Sequence, residues 1–165
     1  MSLLDQRLGS ALKTRLRLRS AVKGANSVYG GSEKRKEAHS QGVLFSEDEP
    51  CILEDYELIF SKCGWKNVVL CKDAEEALRR IEKCHPALIV TDMNKPGMSG
   101  YELAKALKAK SSTQRIPILL VSAVGLMGRE NEDCGNLFCG VLLKPFYLEG
   151  ILRSAEMAIV GKYTG

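Results

Sequence analysis

Residues 87–100 read ALIVTDMNKPGMSG, and the change of character inside that stretch decides the fold. Ala87 to Thr91 is apolar or β-branched without a break, the pattern of a strand buried on both faces. Asp92 ends the run, and Asn94, Pro96-Gly97 and Ser99-Gly100 supply turn residues. Tyr101, Leu103, Ala104 and Leu107 then recur at helical spacing. Upstream, Asp73 is placed to cap a helix running to Cys84, whose Ala74, Ala77, Leu78, Ile81 and Cys84 share one face. A fully buried strand between two amphipathic helices is the repeating unit of a parallel α/β sheet.

The same alternation extends outward. Val43 to Ser46, Val68 to Cys71, Ile118 to Ser122 and Val141 to Leu143 read as four more strands. Five helices are expected to separate and follow the five strands. The last places Leu148, Ile151, Leu152, Ala155 and Ile159 on one face, and Gly125 to Asn136, polar and glycine-bounded, fits a helix least. The expected fold is α/β: a doubly wound five-stranded parallel sheet with right-handed crossovers, over residues 42–165. In such sheets ligands sit beyond the carboxyl ends of the strands, where strand order reverses.

Residues 1–41 differ in kind. They hold nine Lys/Arg against Asp5, Glu33 and Glu37, a net of +6 that leaves −2 for the rest of a chain whose total is +4. Leu4, Leu8, Ala11, Leu18 and Val22 form a stripe interrupted by Arg15, which suits a short basic amphipathic helix. Gly24 to Gly42, rich in Gly, Ser, Asn and charge, reads as a flexible linker. The arm suits nucleic acid, anionic lipid, an acidic protein surface or solvent alone. No DNA-binding module accompanies it and Tyr29 is its lone aromatic, so nucleic acid is not the expected partner.

The apolar runs, Val68 to Cys71 and Ile116 to Ala123 the longest, fall far short of the roughly 20 residues of a membrane span, so no transmembrane helix is expected. Six cysteines between Cys51 and Cys139 include no C-x-x-C, and Cys63, Cys71 and Cys84 close apolar patterns. They read as reduced core thiols of a cytoplasmic protein. No second pair supports Cys84-His85 as a metal site.

Four strands end in groups suited to phosphoryl chemistry on a carboxylate: Glu47-Asp48-Glu49, Asp92, Ser122 and Lys144-Pro145. A carboxylate that attacks a phosphoryl group forms an acyl phosphate, and the two anions need a bridging cation. Mg²⁺ suits a few carboxylates plus water. Asp48 and Asp92 are the expected direct ligands, with Glu47 acting through water and the Asn94 backbone carbonyl completing the set. Lys144 would pair with one phosphoryl oxygen and the Ser122 hydroxyl would donate to another.

VLFSEDEP, ALIVTDMNKPGMSG, PILLVSA and LLKPF resemble, in order, the four signature segments of the response-regulator receiver family. Their spacings, 44 residues from Asp48 to Asp92, 30 to Ser122 and 22 to Lys144, are similar to the family's. The resemblance implies a chemotaxis-regulator-like, flavodoxin-like sheet of order 2-1-3-4-5. It also implies a signalling domain, not an enzyme in the ordinary sense, that catalyses its own phosphorylation and dephosphorylation. Asp92 would accept the phosphoryl group from a histidine kinase or histidine phosphotransfer protein. Ser122 and position 141 would then switch, and a downstream protein would read the face from the fourth helix of the domain to the fifth strand; a dimer is left open. The sequence departs from the pattern at Val141, where the family often has an aromatic, and at Lys95, where it usually has an apolar residue. Lys95 is expected to put positive charge beside the acyl phosphate and alter its lifetime.

Other readings fare worse. A haloacid-dehalogenase-type phosphatase wants a second Asp where Asn94 stands. A flavin or nucleotide site wants a glycine-rich loop where Glu47-Asp48-Glu49 stands. A receiver-like scaffold that is never phosphorylated would not need all four strand-end groups.

Overall fold

The computed structural model describes residues 33–123 and 134–161. Its elements are α1 (Glu33–Gln41), β1 (Val43–Ser46), α2 (Pro50–Lys62), β2 (Val68–Cys71), α3 (Ala74–Cys84), β3 (Leu88–Asp92), α4 (Gly100–Lys108), β4 (Ile118–Ser122), α5 (Cys134–Leu137), β5 (Gly140–Leu143) and α6 (Leu148–Val160). All pairings are parallel and the order is β2-β1-β3-β4-β5. The doubly wound five-stranded sheet is therefore as expected, with strand bounds moved by one residue at β3 and β5. Register sets Val43 opposite both Val68 and Leu88, Ile89 opposite Ile118, and Leu119 opposite Gly140.

The apolar strands need a cover on both faces, and each central strand alternates between them. Leu44, Ile89, Ile118 and Leu120 pack with Ala74, Ala77 and Ile81 of α3 and Leu103 and Leu107 of α4 in one buried cluster. Phe45, next along β1, instead stacks on Tyr56 of α2 with ring centroids 4.5 Å apart and meets Phe60 edge-on at 4.8 Å. Local chemistry sets the helix starts. The Asp73 carboxylate accepts from the Glu76 N–H at 2.6 Å, and Ser99 and Glu102 form a reciprocal capping box before α4.

One expectation changes. Among the described residues there are six helices, because Glu33–Gln41, read as linker, is helical. Its contacts explain the difference: α1 packs against α6, and His39 stacks on Trp65 with centroids 4.4 Å apart while its Nε2 meets Glu156 Oε1 at 2.8 Å. The helix expected across Gly125 to Asn136 falls mostly on residues outside those described, and α5 begins at Cys134. The striped segment 1–23 also lies outside them.

Candidate functional site

Parallel pairing carries the strand ends to one rim. β1 exits into Glu47-Asp48, β3 into Asp92, β4 into Ser122 and β5 into Lys144, whose peptide bond to Pro145 is cis. Lys144 joins the two sides of the crevice: its Nζ hydrogen-bonds Asp92 Oδ2 and lies 3.2 Å from Glu47 Oε2. The other Asp92 oxygen accepts from the Asn94 N–H at 2.9 Å, and Glu47 Oε1 accepts from the Glu49 N–H at 3.3 Å. The Lys144 N–H donates to the Ser122 carbonyl at 2.8 Å, which fixes the lysine against β4.

Burial grades these groups. Glu47 is 2% exposed and Ser122 is fully buried, whereas Asp48 and Asn94 are exposed. Desolvation holds the Glu47 carboxyl above the ordinary carboxylate value, against the pull of the Lys144 charge and with the help of Asp48 and Asp92. Burial alone would lower Lys144, but its hydrogen bond to Asp92 and the Glu47 charge hold it above the ordinary lysine value. The expected acidic residues and the lysine are thus one electrostatic unit. Val141 is half-buried against the main core cluster.

No group of three or more His, Cys, Asp or Glu side chains among the described residues is gathered closely enough to cage a metal ion by itself. The donor chemistry fits Mg²⁺ nonetheless. Two carboxylates already converge on one ammonium, a third follows in sequence, and Mg²⁺ takes few protein oxygens and keeps several waters.

Two features escape the sequence. The Lys95 ammonium was expected beside the acceptor carboxylate, but its hydrogen bonds run the other way, to Thr91 Oγ1 at 2.7 Å and to the carbonyls of Asp92 at 3.1 Å and Ser46 at 3.4 Å. Burial pushes it down to about 8, against the charges of Asp92, Glu47, Asp48 and Glu75. Gly100, first in α4, lies so close to β3 that a Cβ there would fall 2.3 Å from the Asp92 carbonyl oxygen. Far from this rim, an open cleft of 560 Å³ is lined by Glu37 and Gln41 of α1, His85, Arg115 and Ile159, and it contains none of the strand-end groups.

Residues 43–156 match the response regulator receiver domain family. The chain belongs to that family. The receiver domain is 28% identical over 115 residues to the response regulator Rre1 of Synechocystis, covering 68% of this chain and half of that protein's length. Among solved structures it resembles the chemotaxis protein CheY4 of Vibrio cholerae, with TM-score 0.67, 27% identity, and 72% of this chain and 98% of that one covered. It also resembles the receiver domain of the sensor histidine kinase PA1611 from Pseudomonas aeruginosa, which carries a coordinated magnesium ion in its active-site cleft, with TM-score 0.64, 25% identity, and coverages of 73% and 98%. Receiver domains are signalling domains of two-component systems and interact with histidine kinases and downstream effectors. The described residues contain no helix long and apolar enough to cross a membrane.

Proposed function

We propose that this receiver domain is a phosphorylation switch whose acceptor is Asp92, loaded by a histidine kinase or a histidine phosphotransfer protein in the cytoplasm. The observation that carries the reading is the Lys144 ammonium shared between Asp92 and Glu47 on the rim where β1, β3 and β5 end. The Asp92 carboxylate attacks the phosphorus, an O–P bond forms, the P–N bond of the phosphohistidine breaks, and the imidazole leaves with its electron pair. As the phosphoryl group arrives, Lys144 turns from the carboxylates to a phosphoryl oxygen and the Ser122 hydroxyl donates to another. Asp48 and Asp92 would hold Mg²⁺ directly, with Glu47 through water and the Asn94 backbone carbonyl. The ion would neutralise charge between the carboxylate and the phosphoryl oxygens.

Hydrolysis of the acyl phosphate by water resets the domain. The signal passes through the movement of Ser122 and the packing around Val141 to the face formed by β4, α5 and β5, where a downstream protein binds. Val141, smaller than an aromatic, leaves Ser122 to carry most of the switch.

The test is intact mass after incubation with acetyl phosphate or phosphoramidate, with and without Mg²⁺, in wild type and Asp92→Asn. The expected result is one phosphate-sized gain that needs both the metal and Asp92. No gain from either donor would sink the reading and favour a scaffold that binds partners without phosphorylation.

A further inference from the structure

Three residues beyond Asp92, the Lys95 side chain turns under the β3–α4 connection and is 9% exposed. Its three N–H donors meet three oxygens, Thr91 Oγ1, the Asp92 carbonyl and the Ser46 carbonyl, all of them neutral. An ammonium out of water among neutral oxygens is costly, and an unbranched apolar side chain would fill the same space without that cost. Hydrogen bonding alone therefore does not explain a lysine here. What sets the place apart is whose carbonyls these are: one belongs to Asp92 and the other to Ser46, the residue before Glu47, so the ammonium sits against the backbone that carries the acidic rim. Lys144 meets the Glu47 and Asp92 carboxylates, and Lys95 holds the backbone beside them, spanning the ends of β1 and β3.

We infer that Lys95 is a positioning residue and resident counter-ion of the acidic rim. It ties the end of β1 to the end of β3, offsets the repulsion among Glu47, Asp48 and Asp92 before any divalent cation arrives, and weakens the hold on that cation. The last clause rests on the proposed cation-binding role of the rim. The design trades metal affinity for a site that keeps its shape when empty.

The measurement is calorimetric Mg²⁺ titration at pH 7 and low ionic strength, on wild type, Lys95→Met and Lys95→Gln, with thermal melts of each in low and high KCl. Removing one positive charge from the backbone beside the rim should tighten the Mg²⁺ Kd about tenfold in both neutral variants. Their Tm should also gain more from added salt than the wild type's does. Glutamine keeps a hydrogen-bond donor while dropping the charge, so it separates the two roles and stands in if Lys95→Met fails to fold. Mg²⁺ affinity and salt response equal to wild type in Lys95→Gln would overturn the inference and leave a structural staple. Should wild type take up no Mg²⁺, the rim's proposed role fails, and the salt response alone still decides for or against the counter-ion.

Discussion

Replacing Gly100 by alanine should damage both stability and phosphoryl uptake, although glycine to alanine in a helix ordinarily stabilises by about 0.5–1 kcal/mol. The difference lies in what the new methyl would meet. Its carbon would fall 2.3 Å from the Asp92 carbonyl oxygen, 3.0 Å from the Asp92 carbonyl carbon and 3.2 Å from Met93 Cα. All three are backbone, so no side chain can rotate away. An overlap of about 1 Å has to be relieved by pushing α4 off the end of β3, at the upper end of the 1–3 kcal/mol typical of overpacking. After the helical gain is subtracted, the net loss is about 2 kcal/mol, or roughly 8 °C in Tm for a domain of this size. Gly150 is the control: a methyl there meets Leu142 Cδ1 at 3.8 Å and Phe146 Cβ at 3.9 Å, ordinary contacts, so Gly150→Ala should hold or raise Tm. The push lands on Asp92, the proposed acceptor, and a displacement of this size costs up to about 10²-fold in rate. Melts followed by circular dichroism, with acetyl phosphate uptake by intact mass, test both halves. A Gly100→Ala protein as stable as wild type and phosphorylated as fast would refute the close approach of α4 to β3.

Three further outcomes are expected. His39→Ala removes both the stack on Trp65 and the hydrogen bond to Glu156, the His39 and Glu156 side chains being only 12% and 13% exposed, so α1 should open more often. At about 1.4 kcal/mol, trypsin should cut after Lys36 about tenfold faster, and an unchanged cleavage rate would mean that the helix is held by other contacts. Burial pushes the Cys71 thiol up to about 12 and the Cys139 thiol up to about 11 from an ordinary 9.0. The folded chain keeps those protons where the unfolded chain loses them, so their stabilisation is whole below pH 9 and fades as pH rises toward 11–12. Cys71→Ala should therefore lose less Tm than wild type between pH 8.5 and 10.5, and at pH 8 exposed Cys51 should take a thiol reagent well before Cys71 or Cys139 does.

How much of this was readable in advance depends on how local each cause is. The five strands carry their signal in consecutive apolar residues, and α3 announces itself through Asp73 and the periodicity from Ala74 to Cys84. The rim follows because parallel pairing brings all strand ends to one side. Helix α1 could not be read this way: EKRKEAHSQ has no apolar stripe, and its anchor is His39, whose partners lie 26 and 117 residues further along the chain. Lys95 was visible as a departure from the family, but whether its side chain runs toward the carboxylate or beneath it is settled by packing around Thr91 and Ser46. Gly100 looked like an ordinary turn glycine, because the carbonyl it must clear belongs to another element.

Trp65 is the sole tryptophan of the chain, buried between Phe60 and the His39 ring at the edge where the strands begin. The acidic rim lies at the opposite edge, a strand of four residues away, or roughly 13 Å. Intrinsic fluorescence in this domain is therefore an optical readout of the helix ahead of β1, and a change in emission on metal binding or phosphorylation would mean that the event at one edge of the sheet is felt at the other.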